Sequence, residues 1–453
     1  MVYEVPNQFL FELHHPRPRF KNNIENVLIY VATAVAIQET EVAELFDAQL
    51  FESISLFPGN EDKTDKTIDN WRTEISSLLG LVQETDDSKK MPSKRATELA
   101  NSQDLIAFFK AFLYFFQYPG HHLKPKDIVD ALLVGVKFHP ARAILELLSY
   151  EESEDSYLTK AEATHCMFND LRVTRDSRSA KYTWELIKLN RTRGVEYDTE
   201  GDVIRYAGDI LDYMVLGNLL YQDENQKYFL NRREHVAINT FLTSQNFFVY
   251  SGNIPSEVNQ YRKGWFDYVN QDVPNEIAQT DLTILTPAFN TTVEVVAQVS
   301  TINTKEIGDK GELLILSHEK ARLRIAGEQE LSRRVQLLPT PEGHGYDIKS
   351  FEVTRHPKYI EVKTTISKNP ITFNSFHLTT NEWLTAESSG RAYCVYRLMI
   401  SDDGNKLYVM RDPVRLYKSD LIIMTPRDGA DIRFHPEQCS DCGNFEELLN
   451  ETN

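Results

Sequence analysis

Three side chains in the C-terminal third have the types and spacing to act on a phosphate ester. They are Asp347, in Gly345-Tyr-Asp-Ile-Lys-Ser350, and Glu361 and Lys363, in Tyr359-Ile-Glu-Val-Lys-Thr-Thr365. On an extended strand, residues two apart share a face, so Glu361 and Lys363 project side by side while Val362 turns into a core. Asp347 is expected on the strand before. Paired carboxylates suit a hard divalent cation such as Mg2+, bound through oxygen. Such an ion polarises a phosphodiester and acidifies a bound water, and a neighbouring lysine offsets developing negative charge. Glu-x-Lys on a strand is common by itself; the acid on the preceding strand gives it weight. The pattern points to magnesium-dependent phosphodiester hydrolysis.

The surrounding residues must hold this constellation. A new domain is expected from Gly308, with a helix opening at Gly311 and running to about Ile325. Glu312 and Glu319 lie two turns apart on one face of it, so one or both can face the strand pair. Residues 333–338 lead a strand into the Pro339-Thr-Pro-Glu-Gly turn. After the two acidic strands come an extended Ile371-Thr-Phe, a helix from Asn381-Glu-Trp capped by Thr380, a buried strand over 392–398, and another over 406–410. Asn381 and Glu382 read as helix-start residues in preference to substrate contacts. An order αβββαβ with both acidic strands early fits a restriction-endonuclease-like core.

Gly-Glu at 311–312, Gly-Tyr-Asp-Ile-Lys-Ser at 345–350, Ile-Glu-Val-Lys-Thr-Thr at 360–365, Asn-Glu-Trp at 381–383 and Tyr-Cys-Val-Tyr-Arg-Leu at 393–398 together resemble the C-terminal nuclease domain family called NOV-C. That family is a branch of the PD-(D/E)XK phosphodiesterases of prokaryotic restriction and defence proteins. The resemblance covers roughly 300–425, with Tyr346 where the motif's name has Pro. It implies that Asp347 and Glu361 bind magnesium and that Lys363 supports the attacking water or the transition state. It also implies that Glu312 adds a helix carboxylate to the metal set.

With 453 residues, the chain is expected to hold two to four domains. No apolar run is long enough to span a membrane, and the N-terminus lacks the basic and apolar regions of a signal peptide. Cys166, Cys394, Cys439 and Cys442 are too few for a disulfide scaffold, so a reducing, cytoplasmic location is expected. Cys439-Ser-Asp-Cys442, with His435 before it, has no fourth zinc ligand close by and reads as free thiols. A net charge of −18 weighs against a simple nucleic-acid binder. Any face that meets DNA must therefore be positive locally.

Residues 1–20 read as a solvated arm, in which His14 and His15 point apart with no carboxylate near. Three helices over 22–79, the second capped by Thr40, followed by a turn-rich 83–96, suit a winged helix within 1–95. Residues 96–150 form a helical module whose phenylalanine stripe is core. In 151–250, Thr159 and Glu162 form a capping box. Arg172, Arg175, Arg178, Lys181, Lys188, Arg191 and Arg193 make the best local basic segment. A helix over 204–216 and a strand-turn-strand complete a possible second winged helix. Its basic segment either enters DNA or forms a solvated basic face. Residues 251–300 read as a connection with a strand at Leu282-Thr-Ile-Leu, 301–425 as the nuclease domain and 426–453 as an acidic tail.

A multidomain α+β chain follows, with helical and winged-helix N-terminal modules ahead of a restriction-endonuclease-like α/β domain. The modules would choose a site in double-stranded DNA and the C-terminal domain would cut it with Mg2+. Cutting two strands calls for two active sites, hence a homodimer. No Gly-x4-Gly-Lys-Ser/Thr loop or methyltransferase motif is evident, so a protecting methyltransferase would be a separate chain. The rival is a non-catalytic DNA-binding regulator or scaffold with a nuclease-like fold.

Overall fold

The computed structural model describes residues 2–15, 17–18, 20–151, 156–250, 258, 260–278, 280, 310–338, 344–372, 374–426, 429–434, 445–446 and 448–449. The strand expected at Leu282, together with His435, Cys439 and Cys442, lies outside them. The chain folds as two compact units. One comprises Met1–Val27, Ala34–Leu99 and Leu105–Thr280; the other comprises Leu28–Thr33, Ala100–Asp104 and Asp281–Asn453.

The first unit is mainly helical. Helices α1 (Ile24–Ala36), α2 (Ala43–Ser55) and α3 (Asp65–Thr73) lead into an antiparallel hairpin, β1 (Val82–Glu84) and β2 (Lys90–Pro92). Thr40 does not cap α2, whose N-cap is Val42 with no side-chain bond. The turn-rich 83–96 ends in a helix, α4 (Lys94–Ser102), because Arg95, Ala96 and Leu99 find buried positions. Helix α5 (Leu105–Phe115) buries nearly every side chain, as a core stripe must. Helices α6 (Pro125–Leu133) and α7 (Pro140–Ser149) each place a proline in the first turn, where its missing N–H costs nothing.

A short strand β3 (Tyr157–Leu158) precedes α8 (Lys160–Ala163), which carries the expected Thr159–Glu162 capping box. Helices α9 (Leu171–Thr174), α10 (Ala180–Thr192) and α11 (Val203–Leu216) follow, then β4 (Leu220–Gln222) and β5 (Tyr228–Leu230). The hairpin is expected; β3 as its third strand is not, since two residues leave no period to read. After α12 (His235–Thr243), the aperiodic stretch read as a connection contains α13 (Arg262–Val269) and α14 (Asn275–Ala278). Trp265, Phe266, Tyr268 and Val269 are buried and Lys263 pairs with Asp267 on the outer face, but eight residues make little more than two turns, too few to show a period. The N-terminal stretch is not a solvated arm. Val5, Leu13 and His15 are buried, and Arg17 grips Asp209 at 2.7 and 3.2 Å.

From residue 310 on, the second unit contains α15 (Lys310–Ile325) and α16 (Gln329–Arg334), the latter reaching into the 333–338 stretch expected to lead a strand. Its strands are β6 (Gln336–Leu337), β7 (Ile348–Phe351), β8 (Pro357–Ile366) and β9 (Asn374–Thr379). After α17 (Thr380–Ser389) come β10 (Tyr393–Ser401), β11 (Gly404–Arg411), α18 (Pro413–Lys418), β12 (Ile423–Pro426), β13 (Gly429–Phe434) and β14 (Phe445–Glu446).

Six strands form the main sheet in the order β14-β11-β10-β8-β7-β6, with β8 and β10 parallel and the other pairs antiparallel. A parallel neighbour needs a crossover, supplied here by β9 and α17. A second sheet runs β12-β13-β9. Its middle strand comes from residues read as the start of an acidic tail, where Ala430, Ile432 and Phe434 are buried. Phe376, Leu378, Ala386, Tyr393, Val395 and Ile432 share one core cluster, and α15 packs against β7 and β8. With both faces covered, every residue of β10 is buried.

Candidate active site

The three acid–base residues meet at the middle of the main sheet. Asp347 sits one residue before β7, not on it, yet it is locked in place. Its N–H donates to the Ile360 carbonyl at 2.9 Å, and its carbonyl accepts from Leu338 N–H at 2.8 Å. The register Ile348↔Ile360 sets Asp347 opposite Glu361. The Asp347 Oδ2 accepts the Val362 backbone N–H at 2.7 Å, between Glu361 and Lys363 in sequence. Gly345 turns the chain into this position at φ 72°, where a Cβ would lie 2.3 Å from Thr385 Oγ1. Its carbonyl accepts the Tyr393 hydroxyl at 3.0 Å.

Lys363 Nζ donates to Glu361 Oε1 at 2.6 Å and to Glu382 Oε2 at 3.1 Å. Opposite it in register, Arg397 donates to the Lys363 carbonyl at 3.1 Å and fixes the strand beneath. Burial pushes the Glu361 carboxyl well above the usual range; Lys363 opposes the rise while Asp347 and Glu382 add to it. Burial works against the charge on Lys363, but Glu361 and Glu382 outweigh it and hold the ammonium above its ordinary range. Buried Tyr393 is raised as well, with Glu361, Glu382 and Asp347 contributing. The site is one electrostatic unit of three carboxylates around one ammonium.

Among the described residues, no three His, Cys, Asp or Glu side chains gather in metal-binding geometry. Glu312 lies half-buried in the first turn of α15, and no three-ligand set is formed there among the described residues. Magnesium does not need one, since it keeps several waters and takes only one or two carboxylates from protein. Asp347 and Glu361 stand opposite one another in register and offer the carboxylate oxygens that such an ion takes, so the pair suits it. A second acid of α15, Glu319, reaches the sheet. It accepts from Ser350 and Tyr396, both at 2.6 Å, and from Arg322 at 2.9 and 2.7 Å. It also pairs with Lys358 at 3.3 Å, three residues from Glu361 and hence on the opposite face of β8. Glu319 braces the sheet from behind.

Thr379, not Thr380, caps α17, and Glu382 closes the box by accepting the Thr379 N–H at 2.9 Å. Glu382 is thus a helix-start residue, as expected, and also a partner of Lys363. The Thr-x-x-Glu spacing announces the first role. Nothing local announces the second, because it joins residues 19 apart.

The basic segment of the first unit is not a row of open cations. Arg172 is bidentate on fully buried Asp170, and Arg178 lies 4.0 Å from the same carboxylate. Arg175 pairs with exposed Asp176 at 2.7 Å, and Lys188 with Glu151 at 2.6 Å. Arg191 grips the capping-box acid Glu162 at 2.7 and 2.9 Å and stacks 3.7 Å over Tyr157. Lys181 and Arg193 are exposed, and neither makes an ion pair among the described residues.

Residues 3–266 match the family described as restriction endonuclease BpuJI, N terminal, which covers more than half of the chain. The chain belongs to the BpuJI N-terminal restriction endonuclease family. The BpuJI match takes in everything from the N-terminal strap to α13. A second match, to the family described as Protein NO VEIN, C-terminal, spans 311–410 and holds Asp347, Glu361, Lys363 and Glu382. The C-terminal resemblance read from the motifs is therefore shown. Among solved structures, the BpuJ1 endonuclease binding domain, in complex with pyrene- and phenanthrene-modified DNA, is similar at a TM-score of 0.54 and 23% identity. The alignment covers 59% of this chain and all of that one, a likeness of fold. No curated protein matches the chain.

Proposed function

We propose that this chain is a magnesium-dependent endonuclease of restriction type, hydrolysing phosphodiester bonds in double-stranded DNA. The observation that carries this is the grouping of half-buried Asp347 and Lys363 with buried Glu361, in which Asp347 accepts the Val362 N–H and Lys363 donates to Glu361. Asp347 and Glu361 are the residues that would hold Mg2+; bound there, the ion supplies polarisation of the scissile phosphate and a more acidic water. Lys363 stays cationic at working pH and stabilises charge that develops on the phosphate oxygens. The buried strand surroundings keep that charge fixed, so little reorganisation accompanies the reaction.

Target choice belongs to the first unit in this proposal. Its twofold run of helices into a hairpin supports the winged-helix reading, and its likeness to a DNA-binding domain supports duplex DNA as the partner. Lys181 and Arg193 are the first candidates for phosphate contact; Arg175 and Arg178 can exchange their partners for phosphate. Arg172 and Arg191 hold the unit together. Cutting both strands implies a homodimer, and a separate methyltransferase would protect the host's own sites.

The deciding test is incubation of methylated and unmethylated plasmid with the full chain and Mg2+. Cleavage of one or both, lost in Lys363→Ala, is expected. Absence of cleavage for both plasmids, or cleavage undiminished in Lys363→Ala, would return the chain to the non-catalytic DNA-binding alternative.

A further inference from the structure

Lys363 is held by two carboxylates from different elements, and only one of them belongs to the expected metal pair. Glu361, its neighbour on β8, stands 2.6 Å away; Glu382, at the third position of α17, stands 3.1 Å away. The side chains of Lys363 and Glu382 are 22% and 16% exposed, so both charges are largely withdrawn from water. A carboxylate whose only task is to close a capping box points back at the N-cap N–H and needs no cation. Glu382 does close the box, yet the oxygen that accepts the Thr379 N–H is the same Oε2 that accepts the ammonium. One atom thus ties the start of α17 to the centre of the sheet.

The charge count adds a second argument. With Glu361 ionised, as it would be against a cation, Asp347, Glu361 and Glu382 would bring three negative charges against the single positive charge of Lys363. The excess of two is what one divalent cation carries. Glu361 oxygens engaged by such a cation would no longer hold the lysine by themselves, and Glu382 would remain as its carboxylate partner.

We propose that Glu382 is a positioning residue of the active site, which keeps the Lys363 ammonium aimed at the reacting phosphate while Glu361 is engaged by the metal. This rests on the nuclease reading above. It assigns the Asn-Glu-Trp segment a part in the reaction beyond starting a helix.

Glutamine also serves at the third position of a capping box, so Glu382→Gln retains the helix start while removing the charge. Thr379→Ala removes the N-cap side chain while keeping the charge. Two measurements on the full-length protein decide the matter. The first needs neither metal nor DNA: exchange of the Lys363 ammonium protons with water, followed by lysine-selective 15N NMR and assigned by loss of the signal in Lys363→Arg. Exchange is expected to quicken at least ~10-fold in Glu382→Gln and to stay near wild type in Thr379→Ala. The second is plasmid cleavage with calorimetric Mg2+ binding alongside. Glu382→Gln is expected to lower kcat at least ~10-fold with KM and Mg2+ affinity within about twofold of wild type.

Unchanged ammonium exchange in Glu382→Gln overturns the proposal. So does wild-type kcat in that variant when Lys363→Ala is inactive, since Glu382 is then only a helix cap. A wild-type protein that cuts no DNA sinks the nuclease reading instead, and the exchange comparison still decides whether Glu382 holds Lys363.

Discussion

Lys363 donates to two carboxylates and lies on a strand whose backbone is gripped by Asp347 on one side and Arg397 on the other. Replacing it by alanine leaves Glu361 buried beside two other acids with no neutralising partner. Lys363→Ala should therefore lower cleavage by ~10²–10³-fold. The arginines of the first unit divide in the same way, by what they already touch. Arg191 is one-fifth exposed, doubly bonded to Glu162 and stacked on Tyr157, so Arg191→Ala should cost about 2–3 kcal/mol of stability, read from urea unfolding. Lys181→Ala with Arg193→Ala should leave stability unchanged. The pair should instead reduce the salt slope of DNA binding by about one for each phosphate no longer neutralised. An unaltered slope would remove these residues from the DNA face.

At the scale of elements, the approach to β7 and the start of α17 decide whether the site forms. Gly345 adopts φ 72° under the Thr385 side chain, two residues ahead of Asp347. Gly345→Ala meets both a backbone penalty and a collision, so the Asp347 turn should shift. We expect a loss of about 1–3 kcal/mol and cleavage reduced with it. Wild-type activity in Gly345→Ala would show that Asp347 tolerates that shift. Loss of the Thr379 cap should cost about 1 kcal/mol, seen as a lowered Tm.

For the whole molecule, acid is the informative stress. His15 and His139 are buried in the first unit, where burial pushes their imidazoles down to about 4 and about 3 from the ordinary 6.5. Such a group takes up its proton more readily in the unfolded chain. Its stabilising contribution is therefore complete above pH 6.5 and drains as pH falls toward 4. Each imidazole should subtract about 1.4 kcal/mol per pH unit across that window. The urea midpoint of this unit, followed by tryptophan fluorescence from Trp71, Trp184 and Trp265, should fall between pH 6.5 and pH 4.5. A midpoint constant over that range would show that neither histidine is neutralised by folding.

Sequence alone determined whatever depends on neighbours in the chain. The period of two along β8, the capping box at Thr159, the apolar run of α5 and the motif spacing around Asp347 could all be read, because each is a short-range pattern. So could the resemblance to the C-terminal family, whose signature is spread over separate short motifs. Tertiary structure decided what long-range contacts impose. It turned the N-terminal stretch from a solvated arm into a buried strap, since the partners of His15 and Arg17 lie near 118 and 209. It built a strand from 429–434 by offering it β9 as a neighbour. It set Glu319 against the sheet, bonded to Ser350 and Tyr396. It bound five of the seven basic residues in the segment to the protein's own carboxylates, which spacing cannot foresee because charge pairing depends on side-chain direction in three dimensions. Above all, it brought Glu382 to Lys363, joining a helix start to strand β8 across a crossover that no local pattern encodes.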